Sequence, residues 1–349
     1  MNPEAQALYE EMKLHLGQAV PDVELAYKAE IAVEIKALKK QRNAVILGHN
    51  YMEPVLFYSV PDFKGDSLDL ARKAAATDKD VIVFCGVRFM AETAKILNPT
   101  RTVLLPALKA GCSLAASITA QDVRDLRQAY PGVPVVTYVN TYADVKAESD
   151  ICCTSSNAVA VVESLKSDTV IFLPDQYLAA NVAKESGKHI IFPTLTPQGL
   201  AAGATNLLDV QMIGWHGRCE VHEKFTVEDI RTVRAQFPEV VILAHPECSP
   251  EVVAASDFSG STNAMVRYVR ETKAPHYLLL TECSMGDNIA ASNPDKEMLR
   301  LCTVRCPHMN TITMEDTRDA LKLMQYEIEI PEPIRLRAYR AVERMIQIG

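Results

Sequence analysis

A short pattern occurs three times in this chain and gives the sequence an internal threefold repeat. In each copy a Cys is followed by a Thr at Cys+7 and by an Asp at Cys+10. The three copies are Cys112…Thr119…Asp122, Cys219…Thr226…Asp229 and Cys306…Thr313…Asp316. If the copies pack around a common axis, their thiols converge on one point. A tetrahedral metal centre takes four ligands, so three thiolates would leave one position for a substrate.

The segments around these cysteines predict the same succession of strands and helices in each copy. A short apolar run that ends on a polar side chain, as a buried parallel strand does, opens each copy at residues 44–49, 135–140 and 240–245. A hydroxyl-rich segment then begins a helical pattern at residues 65–69, 154–158 and 260–264. A second strand and helix follow in each copy, and a third strand leads to the cysteine.

Strands that alternate with helices indicate right-handed βαβ units, and a chain of 349 residues suits two or three compact domains. We therefore expect an α/β fold with three pseudo-threefold related α/β/α domains. Each would be a small parallel sheet flanked by helices, and the three would surround a central cavity. The predicted bounds are 1–43 for an N-terminal helical segment, 44–130, 131–237 and 238–330 for the repeats, and 331–349 for a C-terminal helix that packs on the first repeat.

Charge and hydropathy exclude several classes of partner. The formal net charge of −8 leaves no basic surface for nucleic acid. Nowhere do about eighteen apolar residues run together as a membrane helix requires, and the first residues lack the pattern of a secretion signal. We expect a cytoplasmic protein that binds neither nucleic acid nor a membrane. In that compartment the nine cysteines are thiols, metal ligands or catalytic groups rather than disulfides.

The cysteines divide into two groups by their position in the repeat. A lone Cys is most often a small buried hydrophobe, which is the interpretation for Cys85, Cys248, Cys283 and Cys302. The repeat cysteines are instead predicted to bind a metal. The sequence has no C-x-x-C pair, which excludes a zinc finger. Zinc and an iron–sulfur cluster both remain, and a [4Fe–4S] cluster with one open iron is the better fit to ligands spread over three units.

Two histidines and a glutamate follow the predicted strands. His49 and His245 occupy the same repeat position, and Asn140 is predicted to fill it in the middle copy. Such histidines are either satisfied structural groups or donors and proton carriers for a substrate. Glu247 follows His245 by two residues and is the obvious carboxylate base, although a solvated loop acid is the competing interpretation.

The hydroxyl-rich segments predict an anionic ligand. Ser67, Ser155, Ser261 and Thr262 each have the default role of helix N-cap. Three helix N-termini aimed at one cavity would, however, present free N–H groups and positive dipole ends to an anion. The chain has no nucleotide-binding glycine motif, so we expect a small carboxylate or phosphate compound. The side chains that could complete the wall are His222, Tyr51 and Tyr138.

Over about residues 44–316 the chain resembles the quinolinate synthases, a family of bacterial and plant NAD biosynthesis. Many motifs carry the resemblance in one order. They are His49-Asn50-Tyr51, Gly65-Asp66-Ser67, Ala110-Gly111-Cys112, Tyr138-Val139-Asn140-Thr141, the segment 153–158, the segment 214–222, His245-Pro246-Glu247-Cys248 and Gly260-Ser261-Thr262.

The resemblance implies a reaction and a cofactor. A [4Fe–4S] cluster would be held by Cys112, Cys219 and Cys306, with its fourth iron acting as a Lewis acid. Iminoaspartate would condense with dihydroxyacetone phosphate to quinolinate, with loss of phosphate and water, as in a transferase-type condensing synthase. An L-aspartate oxidase would supply the imine.

The resemblance also assigns roles to residues. Those assigned to catalysis are Glu247, Tyr51, His49 and His245. Those assigned to substrate binding are His49, Ser67, Tyr138, Val139, Asn140, Ser155, His222, His245, Pro246, Glu247, Ser261 and Thr262. Cys302 is not expected to bind iron but could form a redox-sensitive pair with Cys306. Cys152 and Cys153 have no assigned role.

Two alternatives stay open from the residues. One is a different three-cysteine [4Fe–4S] dehydratase of small carboxylates, which would turn over without a phosphorylated three-carbon partner. The other is an iron–sulfur sensor read by a partner protein, which would expose the cluster and would not gather the histidines and hydroxyls in one place.

Overall fold

Three small parallel sheets, one from each repeat, form the framework of the protein. The structure is a computed structural model and describes residues 1–17, 19–196, 199–201, 209–301 and 304–349. The first sheet contains β1 (Ala44–His49), β2 (Phe63–Gly65), β3 (Val81–Cys85) and β4 (Thr102–Leu104), in the order β2-β1-β3-β4. All of its strand pairs are parallel.

The third sheet repeats this order, and the second repeats it with an additional strand at one edge. The second contains β5 (Val135–Tyr138), β6 (Ile151–Cys153), β7 (Val170–Leu173), β8 (Ile190–Ile191) and β11 (Met212–Ile213), in the order β6-β5-β7-β11-β8, with β8 as the additional strand. In the sequence, β8 and β11 are separated by two strands that form a small antiparallel sheet of their own, β9 (Thr194–Thr196) and β10 (Gly199–Ala201). The third sheet contains β12 (Val240–Ala244), β13 (Phe258–Ser259), β14 (His276–Leu280) and β15 (Glu297–Leu299), in the order β13-β12-β14-β15.

Helices cover these sheets and connect their strands. In chain order they are α1 (Pro3–Leu16), α2 (Asp22–Gln41), α3 (Pro54–Ser59), α4 (Ser67–Ala76), α5 (Arg88–Leu97), α6 (Ala120–Ala129), α7 (Ala143–Ala147), α8 (Ala158–Ser164), α9 (Gln176–Glu185), α10 (Val227–Gln236), α11 (Pro250–Ala255), α12 (Thr262–Glu271), α13 (Cys283–Ser292), α14 (Met314–Leu323) and α15 (Glu332–Ile346). Helix α15 packs against α7, β6 and α5.

The predicted fold class, three small parallel sheets flanked by helices, is confirmed. Strands β1, β3 and β7 are buried along their whole length, which explains why they appear as continuous apolar runs rather than alternating ones. The domain bounds drawn from the sequence stay a prediction. Within the described ranges, none of the helices combines the length and apolar character that crossing a membrane requires.

The Thr and Asp of the repeated pattern are helix caps. Thr119, Thr226 and Thr313 are the N-caps of α6, α10 and α14, and each forms a capping box with the Asp three residues later. A short 3-10 helix separates each Cys from its cap, at Ala115–Ser117, His222–Lys224 and Met309–Thr311. The capping box therefore begins a helix at a fixed distance from each thiol.

Candidate active site

A cavity of about 70 Å³ lies among the three repeats and is lined by residues from each of them. Its walls come from the residues after β1, β5 and β12, from the hydroxyl-rich segments and from the cysteine loops, as expected for ligand sites beyond the carboxyl ends of parallel strands. The predicted site residues that line it are His49, Tyr51, Ser67, Cys112, Tyr138, Asn140, Ser155, Cys219, His222, His245, Glu247, Thr262 and Cys306.

Three predicted substrate-binding residues do not line this cavity. Val139 is buried at the end of β5. Pro246 accepts a hydrogen bond at its carbonyl from Asn181. Ser261 caps α12 by accepting from the Ala264 N–H. The substrate-binding roles predicted for these three residues stay a prediction.

Strand register corrects the alignment of the middle repeat. Where the first strand of each sheet pairs with the short edge strand, the partners are His49 with Gly65, Tyr138 with Cys153, and Ala244 with Ser259. The backbone N–H of Ile46, Val135 and Ile242 each donates to an aspartate just before the edge strand, so these three residues are equivalent. Each lies three residues before His49, Tyr138 and His245, respectively. Tyr138, not Asn140, therefore occupies the position of His49 and His245. Asn140 lies two residues further on and corresponds to Tyr51.

Both histidines are neutral hydrogen-bond donors in this arrangement. The Tyr51 N–H donates to His49 Nδ1 at 3.2 Å, and the Glu247 N–H donates to His245 Nδ1 at 3.3 Å. Burial lowers the pKa of His49 to about 4 and that of His245 to about 3. A neutral imidazole that accepts at Nδ1 carries its proton on Nε2, so each ring keeps one N–H for a ligand.

Glu247 is a buried carboxylate that accepts three hydrogen bonds. His222 Nδ1 lies 2.8 Å from Oε2, and Tyr138 Oη and Asn140 Nδ2 lie 2.5 and 3.2 Å from Oε1. Burial is the largest single effect and would raise the pKa of Glu247. His222, together with His245 and the Tyr138 hydrogen bond, outweighs burial and holds that pKa below its usual range. The carboxylate is therefore ionised at neutral pH, with its acceptor positions directed at fixed donors.

Thr281, directly after β14, links two of the predicted residues and was missed by the sequence analysis. Its Oγ1 lies 2.5 Å from the Tyr51 hydroxyl and 2.9 Å from His222 Nε2. Burial, reinforced by the charge of Glu247, raises the pKa of Tyr51 well above its ordinary value. Tyr51 is consequently a protonated donor, and Thr281 fixes the position of its hydroxyl.

One hydroxyl from each repeat lines the cavity, and none of these three hydroxyls belongs to an N-cap residue. The N-cap positions of α4, α8 and α12 are held by Asp66, Asn157 and Ser261. The lining hydroxyls are those of Ser67, Ser155 and Thr262. The N-cap role considered for these three residues is therefore wrong, whereas Ser261 does act as a cap.

The three repeat cysteines share one local geometry. Backbone N–H groups at Cys+2 and Cys+3 face the sulfur in every copy. Burial raises the pKa of Cys112 to about 12, that of Cys306 to about 11, and that of Cys219 well above its ordinary value. A metal centre would make these thiols thiolates, because a coordinated thiol is deprotonated.

The spacing of the repeat sulfurs does not fit a single ion bound by all three. Among the described residues, the one set of three potential ligands whose ligand atoms all lie within 4.8 Å of one another is Cys219, His222 and Glu247. The three repeat sulfurs therefore do not form so tight a set. Around a single tetrahedral zinc, sulfurs would lie about 3.8 Å apart. At least one pair of the three repeat sulfurs is therefore too far apart for one zinc ion to bind all three.

Comparison with known proteins assigns the family. The family model described as quinolinate synthetase A protein matches residues 33–347. The chain belongs to the quinolinate synthetase A family. It is 53% identical to quinolinate synthase 2 of Mesorhizobium japonicum over 100% of this chain and 99% of that protein. It is 52% identical to quinolinate synthase of Agrobacterium fabrum (99% and 92% covered) and 54% identical to that of Xylella fastidiosa (89% and 85% covered).

Among the described residues, the cysteines other than Cys112, Cys219 and Cys306 do not line the cavity. Cys85, Cys152, Cys153 and Cys248 are buried, as the structural interpretation expected for Cys85 and Cys248, whereas Cys283, given the same interpretation, is only half-buried. Cys302 falls outside the described residues, so the pairing suggested for it with Cys306 stays a prediction.

Proposed function

We propose that the chain condenses iminoaspartate with dihydroxyacetone phosphate to quinolinate, with release of phosphate and water, in de novo NAD biosynthesis. It would act as a transferase-type condensing synthase with dehydration steps. The proposal depends on one observation: a single cavity gathers three cysteines from three repeats, two neutral histidines, three hydroxyls and an ionised glutamate. The names of the relatives support the same reaction product.

The cofactor would be a [4Fe–4S] cluster bound by Cys112, Cys219 and Cys306. Three soft thiolate ligands suit an iron–sulfur cluster, and the backbone N–H groups beside each sulfur would stabilise the thiolate charge. When bound, a cluster with three protein ligands supplies an open iron that can polarise a substrate oxygen. The reducing cytoplasm that we expect would keep the cysteines available for the cluster.

The substrate carboxylates would be bound by neutral donors. Nε2–H of His49 and of His245 and the hydroxyls of Ser67, Ser155 and Thr262 all belong to the cavity wall. Neutral donors bind a dicarboxylate without requiring a buried positive charge in the empty site. This donor set supports a small dianionic substrate such as iminoaspartate.

The proton transfers would fall to Glu247 and the tyrosines. An ionised carboxylate is a competent base for removing a proton beside a carbonyl or imine carbon. Burial, reinforced by the charge of Glu247, also raises the pKa of Tyr138, so its phenol stays protonated, as does that of Tyr51. Tyr138 would return protons through its hydrogen bond to Glu247, and Tyr51 would protonate a departing hydroxyl.

The test is a reaction carried out without oxygen. The chain purified anaerobically should convert iminoaspartate and dihydroxyacetone phosphate into equal amounts of quinolinate and phosphate. Iminoaspartate would be generated in place by an L-aspartate oxidase, the enzyme that we propose supplies it. Turnover of a hydroxy acid without the phosphorylated partner would instead support the three-cysteine dehydratase, and no turnover of either kind by iron-loaded protein would contradict the proposal.

A further inference from the structure

The loop after β1 is held by an asparagine from the third repeat. Asn288, on α13, donates from Nδ2 to the carbonyls of Asn50 at 3.1 Å and Met52 at 2.9 Å. These two carbonyls flank Tyr51 on either side. Asn288 is buried, so no water competes freely for the two hydrogen bonds.

The loop after β12 is held in the same way by an asparagine from the second repeat. Asn181, on α9, donates from Nδ2 to the carbonyls of Pro246 at 2.8 Å and Cys248 at 2.9 Å. These carbonyls flank Glu247. The contact is therefore the counterpart, one repeat further around the molecule, of the contact that flanks Tyr51.

The loop after β5 has the same pair of carbonyls but a different donor. Lys146 donates from Nζ to the carbonyls of Val139 and Thr141, which flank Asn140. The Lys146 side chain is fully buried, and its ammonium group lies 5.6 Å from the centre of the Phe89 ring on α5. The residues at the flanked positions are thus equivalent in all three loops.

The change of donor in the middle repeat has a local cause. Asn288 and Asn181 are each the sixth residue of their helix, and the sixth residue of α5 is Thr93. The Thr93 hydroxyl donates its single O–H to the Phe89 carbonyl within its own helix, so it has no donor left for a loop. Lys146 supplies the missing donors from the second repeat itself.

We propose that Asn288, Asn181 and Lys146, the loop anchors, are positioning residues for the reaction. Each fixes the backbone on both sides of one side chain that faces the cavity: Tyr51, Glu247 or Asn140. This inference rests on the proposed function for its catalytic meaning. Two of the anchors reach across a repeat boundary, so the packing of the repeats also sets where the reacting groups lie.

The buried amide oxygens of the asparagine anchors support this role. Oδ1 of Asn181 and Oδ1 of Asn288 are both buried without a hydrogen-bond partner in the described part of the chain. Keeping a buried acceptor unpaired is unfavourable, and an apolar side chain of the same shape would avoid it. The two N–H donations to the loop are what an asparagine provides there and a leucine does not.

The test removes the anchors and follows loop opening and catalysis separately. Asn288→Leu, Asn181→Leu and Lys146→Met keep the approximate shape but remove the donors. Each should speed amide hydrogen exchange about tenfold in its own loop, at residues 49–52, 245–248 or 138–141. Each should also lower kcat about 10²-fold with KM changed less, because displacement of a reacting group by about 1 Å has that effect.

Asn98→Leu is the matched control. Asn98 is buried and also donates from Nδ2 to two carbonyls, those of Ala74 and Ala94, at a place away from the cavity. It should destabilise the protein without changing kcat or the exchange of the three loops. If Asn288→Leu does not fold, Asn288→Ser is measured in its place.

Two results would overturn the inference: anchor variants that match Asn98→Leu in both measurements, or faster loop exchange with kcat unchanged. If the unmodified protein forms no quinolinate, the proposed function fails, and loop exchange alone then decides whether the anchors hold the loops.

Discussion

Glu247 is the residue on which the proposed proton chemistry depends. Its two oxygens accept from three side chains that come from two parts of the chain: Tyr138 and Asn140 after β5, and His222 from a cysteine loop. The carboxylate stays ionised despite burial, because His222, together with His245 and Tyr138, outweighs the effect of burial on its pKa. A buried carboxylate kept ionised in this way can serve as a base at neutral pH.

We predict that Glu247→Gln lowers kcat by about 10²–10⁴-fold, the usual contribution of a general base. Glutamine keeps the size of the side chain but cannot accept a proton. The measurement is the steady-state rate of quinolinate formation in protein with an unchanged iron content. Glu251→Gln, at an exposed carboxylate on α11, is the control and should keep full activity. A Glu247→Gln rate within threefold of the unmodified protein would contradict the assignment of the base.

The two cavity histidines predict a specific dependence of stability on pH. The ordinary pKa of histidine is about 6.5, and burial lowers the pKa of His49 to about 4. As the pH falls below 6.5, His49 becomes protonated in the unfolded chain but stays neutral in the folded protein. The free energy of unfolding therefore decreases on acidification. Between pH 7.5 and pH 5 the loss of unfolding free energy that comes from His49 is about 2 kcal/mol. His245, whose pKa burial also lowers, contributes a loss in the same direction.

His49→Gln should therefore reduce the loss of unfolding free energy between pH 7.5 and pH 5 by about 2 kcal/mol. Urea unfolding at the two pH values measures it. His15→Gln, at an exposed histidine of α1, is the control. An equal loss in the unmodified protein and in His49→Gln would show that His49 is not held neutral.

At the residue scale, most of the cavity-lining residues could be predicted from the sequence, but the alignment of the middle repeat with the other two could not. The cysteines, both histidines and Glu247 could be predicted because the repeat placed them after strand-like runs. Asn140 was aligned with the histidines because the apolar run extends to it, whereas the pairing of Tyr138 with Cys153 sets the true correspondence. Thr281 was missed because a Thr after a strand looks like any β-branched strand residue.

At the element scale, the capping boxes connect the cysteine loops to the helices that follow. We predict that Thr226→Ala lowers the free energy of unfolding by about 1 kcal/mol, because it removes the N-cap of α10. Thr232→Ala, at an exposed position inside the same helix, should leave stability unchanged or slightly higher, because Ala is the better helix former. Urea unfolding of both variants measures the difference, and equal effects would contradict the capping role.

The longer elements could be predicted from the sequence, and the shortest could not. Strands β1, β3 and β12 appear as apolar runs and lie where the pattern places them. The edge strands β2, β6 and β13 have only three, three and two residues, too few for a period to be recognised. The Thr and Asp of the repeat have the spacing of a capping box, which could have been predicted from the sequence. The repeat was interpreted only through its cysteine, as part of a metal site.

At the scale of the whole molecule, contacts between repeats set the cavity. The carboxylate of Asp66, from the first repeat, accepts from Ser156 of the second at 2.7 Å and from Ser261 of the third at 3.1 Å. No local pattern predicts such contacts, because they join residues far apart in the chain. The sequence repeat predicted that three units pack around one cavity. The side-chain contacts between the units determine how they are placed relative to one another.

The central claim is that the three repeat cysteines bind one cluster at this cavity. Iron and sulfide analysis with Mössbauer spectroscopy on anaerobically prepared protein tests it most directly. We predict about four iron and four sulfide ions per chain, lost in Cys112→Ala, Cys219→Ala and Cys306→Ala alike. Cys152→Ala, at a buried cysteine of β6, should retain the cluster. Colourless protein, or full iron content in any of the three repeat variants, would contradict the claim.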